Sequence, residues 1–253
     1  MKATILGSGT GHPTIRRSAC SVLVEIGANR LLFDLGVGTL RRLFDAGSSF
    51  SEITHLFFSH SHPDHTGEFA SFLFASKYPE SLRRCTPFIV MGKGVTELYA
   101  GYKQVYGKWI ELEPEILNLI DVNPTGLTSF EFSGFTVKIS AMPHIDSSIG
   151  YRIECENGKS LVYTGDTDFS DKVIAFAKGA DLLITECSFP DNMKMTGHLT
   201  PSLAGQIASE AKVGSLVLTH MYPECEKVDI SAQCRKSWTG PLAIAEDLLT
   251  LCV

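Results

Sequence analysis

Residues 60–65 read His-Ser-His-Pro-Asp-His, so three histidines and one aspartate occur within six positions. With eight histidines in 253 residues, a chance match to this pattern has odds on the order of one in a thousand or below. Imidazole and carboxylate groups are ligands that zinc and similar cations accept. The apolar run at 55–59 predicts a strand, and the loop after it can direct His60 and His62 to one point. Asp64 and His65, at a predicted helix start, can face a neighbouring point, which indicates a second metal site.

Three other metal-capable side chains follow predicted strands elsewhere in the chain. His144 comes after the run at 137–142, Asp166 after the run at 161–164, and His220 after the run at 216–219. Each of them alone is weak evidence, because a single histidine after a strand is usually a surface or hydrogen-bonded core residue. Together with the segment 60–65, they supply enough ligands for two metal ions.

Strands and helices are predicted along the whole chain. Short β-branched or alternating runs predict strands at 3–6, 21–26, 30–33, 55–59, 88–91, 130–132, 135–140, 150–154, 160–163, 182–185 and 215–219. Amphipathic stretches predict helices at 38–46, 64–76, 95–106, 171–178, 200–211 and 241–251. Within the irregular stretch 107–124, the run 115–120 fits either a strand or a helix. This order predicts an α/β fold in one domain, 1–253, with sheets covered by helices on their outer faces.

The composition is that of an ordinary globular protein, with 44% hydrophobic and 20% charged residues. The net charge of −6 argues against a surface that grips a long phosphate backbone, but it is compatible with a small anionic substrate. The cysteines are scattered, which predicts reduced and inert thiols; they are Cys20, Cys85, Cys155, Cys187, Cys225, Cys234 and Cys252. The start of the chain lacks a secretory apolar segment, and no apolar run reaches the roughly 18–20 residues of a membrane helix. We therefore expect a cytoplasmic protein without membrane contact.

The glycine-rich segment 6–13 does not predict a nucleotide-binding loop. Gly7, Gly9 and Gly11 have a suitable spacing, but a helix should follow such a loop. Here Pro13 and a predicted strand follow instead. We therefore expect a tight turn beneath the metal site, from which His12 could line a pocket. His55 is expected to be structural.

The chain resembles the metallo-β-lactamase superfamily, whose pattern is H-x-H-x-D-H followed in chain order by a histidine, an aspartate and a final histidine. Within the superfamily it is similar to the ribonuclease Z-like branch. The segments that carry the resemblance are 6–13, 32–39, 60–65, 164–167, 185–187, 198–200 and 218–220. The resemblance implies an αββα sandwich of two mixed sheets flanked by helices.

The resemblance also implies two divalent metal ions, with zinc as the first choice and manganese or iron as alternatives. The implied ligands are His60, His62 and His144 for one ion, Asp64, His65 and His220 for the other, and Asp166 between them. A bridging hydroxide, oriented by Asp64, would attack the substrate. His198 is not needed as a ligand, and the resemblance implies that it protonates the leaving oxygen with support from Glu186.

The favoured activity is hydrolysis of a small phosphodiester, such as a cyclic nucleotide or a short oligonucleotide. A ribonuclease Z that trims the 3′ end of precursor transfer RNA is an alternative. However, full-length members of that branch carry a basic, glycine-rich arm between the third histidine motif and the bridging aspartate. This chain has only 21 residues between His144 and Asp166, and they read as a hairpin.

The same metals could also serve acyl chemistry, since hydrolysis of a thioester or a β-lactam would use both ions on a carbonyl group. A flavo-diiron protein is disfavoured, because its pattern has glutamate where this chain has His62. A non-catalytic metal-binding module would lack a use for His198. A homodimer could form through the apolar segment 241–253, and burial of that segment in its own chain is equally compatible with the sequence.

Overall fold

The computed structural model describes residues 1–77 and 87–253. In this part, the chain forms the strands β1 (Lys2–Gly7), β2 (Ser21–Ile26), β3 (Asn29–Phe33), β4 (His55–Phe57), β5 (Phe88–Gly92), β6 (Leu117–Asp121), β7 (Thr128–Phe132), β8 (Phe135–Ala141), β9 (Ile149–Cys155), β10 (Ser160–Tyr163), β11 (Leu182–Glu186), β12 (Ser215–Thr219), β13 (Leu242–Ile244) and β14 (Thr250–Cys252). They build two mixed seven-stranded sheets, with the orders β14-β1-β2-β3-β4-β5-β6 and β13-β12-β11-β10-β9-β8-β7.

Helices cover the outer faces of both sheets. The α-helices of the described residues are α1 (Thr39–Asp45), α2 (Pro63–Thr66), α3 (Phe69–Ser76), α4 (Val95–Tyr106), α5 (Asp171–Ala177), α6 (Pro201–Ala211) and α7 (Ile230–Cys234). Short 3₁₀ turns occur at Phe50–Glu52, Gly107–Trp109, Asp191–Met193 and Pro223–Lys227. Helices α1 and α4 contact the first sheet, whereas α6 and α7 contact the second and α5 packs against α6. The predicted αββα sandwich is confirmed.

The central strands are apolar on both faces because both faces are covered. In β2, Val22 and Val24 lie in the apolar cluster that joins the two sheets. Leu23 between them lies in the separate cluster beneath the helices of the first sheet. Successive side chains of a strand point to opposite faces, so a strand covered on both sides reads as a continuous apolar run.

The strands that precede the candidate ligands end at one edge of the sandwich. Strands β3 to β6 are parallel neighbours in the first sheet, and β10 to β13 are parallel neighbours in the second. The segment 60–65 follows β4, Asp166 follows β10, and His220 follows β12. Parallel strands present their carboxyl ends at the same edge of a sheet. Packing of the two sheets therefore brings these loops together.

Two predicted helices differ from the structure. The first, at 64–76, is divided into α2 and α3 by Gly67 and Glu68. Glycine is a poor helix former, and the Glu68 carboxylate accepts hydrogen bonds from the backbone amides of Gly38 and Leu40 at 2.9 and 2.7 Å. Glu68 thus satisfies free amides at the start of α1.

The run 115–120, which fitted either a strand or a helix, is a strand for most of its length, since β6 covers Leu117–Asp121.

The second predicted helix, at 241–251, is wrong, because the segment forms β13 and β14 at the edges of the two sheets. β13 pairs with β12, and β14 pairs with β1. Each strand satisfies the open backbone groups of a sheet edge, and this gain outweighs the local helical pattern. Leu242, Ile244 and Leu251 pack against the core of their own chain. The homodimer stays a prediction.

Candidate metal centre

The first group of donors comes from three loops. His60 and His62 follow β4, His144 follows β8, and Asp166 follows β10. One ligand atom from each lies within 4.8 Å of the others. His62 Nδ1 is 2.9 Å from His60 Nε2 and 3.4 Å from His144 Nε2. Asp166 Oδ2 is 3.8 Å from the Nε2 atoms of His60 and His144. The structure therefore brings together the four residues predicted for one metal ion.

The second group lies beside the first and includes Asp64, His65 and His220. The Nε2 atoms of His65 and His220 are 3.2 Å apart. Asp64 Oδ2 is 3.5 Å from His220 Nε2 and 3.9 Å from His65 Nε2. Asp166 Oδ1 is 3.3 Å from both imidazole nitrogens. Asp166 thus directs one carboxylate oxygen to each group, which is the arrangement predicted for a bridging ligand.

The donor atoms fit two divalent cations. Asp166 is buried, and its Oδ1 has no hydrogen-bond partner among the described residues. A buried carboxylate oxygen without a donor is costly, and a cation between Oδ1 and the neighbouring imidazoles would remove that cost. Nitrogen and carboxylate oxygen are also the donor types that zinc binds.

The protonation states of the donor side chains also suit metal binding. Burial, together with the charge of His65, lowers the pKa of the His60 imidazole to about 2, so that this ring is neutral as a ligand must be. Although burial opposes it, the charges of His220 and His65 hold the pKa of Asp166 well below its usual range. His65 lies between Asp166 and Asp34, whose charges raise its pKa despite burial. A divalent cation at His65 Nε2 would take the place of that proton.

A layer of hydrogen bonds behind the donors fixes the imidazole orientations. His65 Nδ1 is 2.7 Å from Asp34 Oδ2, His144 Nδ1 is 2.8 Å from the Gly197 carbonyl, and His220 Nδ1 is 3.0 Å from Ser188 Oγ. With Nδ1 engaged, each ring presents Nε2 to the centre. The sequence alone did not predict these three hydrogen-bond partners. Only Asp34 carried a signal, as a charged residue within the apolar run at 31–35.

Part of the glycine-rich segment lies against Asp64 of the second donor group. The backbone amide of Gly11 donates to Asp64 Oδ2 at 2.8 Å. A Cβ atom at Gly11 would lie 3.4 Å from the Asp64 carboxyl group, so the loop approaches Asp64 closely. His12 is exposed in this loop. A cavity of about 430 Å³ adjoins Asp64 and is lined in part by Pro13 and Val37.

His198 and Glu186 form a pair next to the donor groups. His198 Nδ1 is 3.0 Å from Glu186 Oε1, and the His198 ring centroid is 4.7 Å from that of His144. Glu186 is buried, and its carboxylate also accepts from the amides of Thr167 and Leu199 at 2.8 and 3.1 Å. Burial lowers the pKa of His198, but the hydrogen bond and charge of Glu186 outweigh this effect and raise it overall.

His198 also lies close enough to Asp166 and His220 to be counted among their donors, within 4.8 Å. Its Nδ1 is 3.9 Å from Asp166 Oδ2. That nitrogen already contacts the Glu186 carboxylate and lies 3.1 Å from Ser188 Oγ, so it is not free to bind a cation. The side chain is 16% exposed, which leaves it accessible from the surface.

The remaining histidine and the cysteines lie outside the two donor groups. His55 is buried, with its ring 4.8 Å from that of Phe132 and 5.2 Å from that of Phe135. Burial lowers its pKa to about 4, as expected for a structural residue. The six cysteines of the described residues are free of disulfides, and Cys85 lies outside the described residues. No helix of the described residues is both long and apolar enough to cross a membrane.

The chain is similar to known proteins over most of its length. The family model of the β-lactamase superfamily domain matches residues 29–221. A ribonuclease Z of Archaeoglobus fulgidus is 24% identical, over 99% of this chain and 97% of its own length. A probable metallo-hydrolase, YhfI of Bacillus subtilis, is 29% identical over 87% of each chain. The crystal structure of YhfI superposes with a TM-score of 0.85 at 24% identity, covering 99% of this chain and 98% of that one.

Proposed function

The chain belongs to the metallo-β-lactamase superfamily, and on that premise we propose that it is a hydrolase of small phosphodiesters that binds two divalent metal ions. A cyclic nucleotide or a short oligonucleotide would be its substrate. His60, His62 and His144 would hold one ion, Asp64, His65 and His220 the other, and Asp166 would contact both. The two donor groups and the opposed oxygens of Asp166 support this assignment.

The metal ions, when bound, would supply Lewis acidity and a water of lowered pKa. Zinc fits the imidazole-rich donor set first, and the shared carboxylate also accepts manganese or iron. Asp64, which is held in place by the Gly11 amide, would accept a hydrogen bond from the attacking water and so orient it.

The observation that carries the choice of phosphodiesters is the pairing of His198 with Glu186. The leaving group of an alkyl phosphodiester is a strongly basic alkoxide, which departs slowly unless it is protonated. Glu186 holds the Nδ1 side of the His198 ring, so the Nε2–H of the protonated ring is available as the proton donor. Because the pKa of His198 is raised, the ring stays protonated up to a pH closer to neutrality.

The direct test compares three substrates on one metal-loaded sample. Turnover of bis(p-nitrophenyl) phosphate is measured beside a thioester and a β-lactam, and the metal content is counted on the same protein. Diester hydrolysis with about two ions per chain is the expected result. Hydrolysis of the thioester or the lactam without diesterase activity would overturn the choice of substrate in favour of an acyl hydrolase.

Processing of precursor transfer RNA is a second candidate, because curated relatives named ribonuclease Z match over nearly their full length. Two features of this chain oppose it. The 21 residues between His144 and Asp166 hold only β9, β10 and their connections, and the net charge is −6. Incubation with a precursor transfer RNA should therefore give no 3′ cleavage, and accurate cleavage would make this second candidate the correct one.

The cytoplasmic location stays a prediction.

Replacing His62 with alanine should remove one ion and most of the activity. His62 contacts only the first donor group, so the second group keeps its ligands and we expect about one ion to remain per chain. Activity should fall by about 100-fold or more, since even partners behind a ligand contribute about 10- to 100-fold. Metal content and diester turnover are measured together. Ser61→Ala, at the exposed neighbouring position, is the control and should behave as wild type. Two ions and full activity in His62→Ala would refute the ligand assignment.

A further inference from the structure

The hydroxyl of Tyr163 lies behind the metal centre, on the side away from the donor atoms. Tyr163 is the last residue of β10, is 1% exposed, and packs its ring 5.5 Å from that of Phe33 in the core between the sheets. Its hydroxyl donates to Asp34 Oδ2 at 2.6 Å. The same hydroxyl oxygen is 3.3 Å from Cys20 Sγ. Tyr163 therefore connects two other buried polar side chains.

Asp34 is a fully buried carboxylate whose position depends on its donors. Oδ2 is approached by the Tyr163 hydroxyl, by Ser59 Oγ at 2.8 Å and by His65 Nδ1 at 2.7 Å. Oδ1 accepts from the backbone amide of Ser59 at 2.7 Å. The backbone of Asp34 has a φ of 59°, a conformation that is uncommon for a residue with a Cβ atom. The carboxylate is thus held by contacts on several sides rather than by packing alone.

The donor and the acceptor of each hydrogen bond in this network can be assigned without conflict. A carboxylate only accepts, so Tyr163 gives its single hydroxyl proton to Asp34. The Tyr163 oxygen is then left to accept from the Cys20 thiol, whose Sγ lies 3.3 Å away. On the other side, His65 Nδ1–H donates to Asp34 Oδ2, and His65 Nε2 faces Asp166 in the centre. Cys20, Tyr163, Asp34 and His65 form one chain of hydrogen bonds.

Cys20, Asp34 and His65 are also close enough, within 4.8 Å, to bind a cation themselves. Two contacts argue against that use. The Tyr163 hydroxyl already hydrogen-bonds Cys20 and Asp34, and His65 Nδ1 is bound to Asp34. The three side chains are therefore satisfied without a cation, unlike Asp166 Oδ1.

We propose that Tyr163 is a positioning residue which sets the affinity of the metal ion bound by Asp64, His65 and His220. The inference rests on the metal centre of the proposed function. Without the Tyr163 hydroxyl, the Asp34 carboxylate loses one of the contacts that fix its tilt, and the His65 ring loses a fixed partner. Partners behind a metal ligand contribute about 10- to 100-fold to metal affinity. Of the histidines predicted for the other ion, His144 contacts the Gly197 carbonyl, and His60 is linked to Asp34 only through the Ser59 hydroxyl, so the affinity of that ion should change less.

The test compares Tyr163→Phe with Tyr151→Phe. Tyr151 is buried in the same core, and its hydroxyl donates instead to the carbonyls of Phe58 and Met91 at 2.7 and 3.2 Å. Both variants remove one buried hydroxyl, so thermal unfolding of the metal-free proteins checks that the loss of stability is matched. Zinc affinity is measured for each site by competition with a chromogenic chelator.

Tyr163→Phe should weaken one of the two zinc sites by about tenfold, the lower end of the range for a partner bonded to the ligand itself, because Tyr163 acts through Asp34. Tyr151→Phe should bind both ions as wild type does. Equal zinc affinities in both variants, with two ions in the wild type, would overturn the role of Tyr163 and leave the proposed function intact. A wild-type protein that binds fewer than two ions would instead contradict the metal centre itself.

Discussion

Asp166→Asn is expected to lower the metal content from two ions to less than one per chain and to reduce diester hydrolysis by more than about 100-fold, since even partners behind a ligand contribute about 10- to 100-fold. Asp166 faces both donor groups. Its Oδ1 is 3.3 Å from the Nε2 atoms of His65 and His220, and its Oδ2 is 3.8 Å from those of His60 and His144. An asparagine keeps the size of the side chain, but it carries no charge, and an NH₂ group that only donates hydrogen bonds replaces one of the two carboxylate oxygens.

The loss should be larger than for His62→Ala, because Asp166→Asn would weaken both sites rather than one. Metal content and turnover are measured on the same preparation over a range of added zinc. Asp171→Asn is the matched control, since Asp171 is exposed at the start of α5 and should keep both ions. If Asp166→Asn retained two tightly bound ions with wild-type turnover, the carboxylate would not be shared between the sites.

His198→Ala should keep both metal ions and slow the hydrolysis of substrates with a poor leaving group far more than that of a nitrophenyl ester. A positioned general acid contributes about 100- to 10,000-fold to such reactions, so a dinucleotide or an alkyl ester should lose activity in that range. Nitrophenolate leaves without protonation, so bis(p-nitrophenyl) phosphate should lose far less. The difference between the two substrates within one variant is the control for a general loss of structure.

Glu186→Gln should give the same pattern as His198→Ala with a smaller loss. The amide still contacts the ring, but it no longer supplies the charge that raises the pKa of His198. Equal losses on both classes of substrate would remove the general-acid role. Loss of a metal ion from His198→Ala would show that the imidazole, which lies near Asp166 and His220, is a ligand instead.

The amino-acid sequence determined the local part of the site. The segment 60–65 carries four metal-capable residues whose spacing is fixed by the chain itself, so their convergence depends on only one loop. The strand β2 and the helix α4 have the predicted bounds, because apolar residues that repeat with the period of an element bury one or both of its faces. Both kinds of feature depend on neighbours in sequence, and these are visible without the fold.

Tertiary structure decided the contacts between segments that are distant in the chain. The helix predicted at 241–251 became two edge strands, because each could pair with an open sheet edge that the local pattern does not contain. Asp34 became the partner of His65 because β3 and β4 are parallel neighbours and Asp34, which has a φ of 59° at the end of β3, directs its carboxylate to the loop after β4. Such contacts depend on how the two sheets pack, and a hydrogen bond or a shared ligand requires distances that only the packed core fixes.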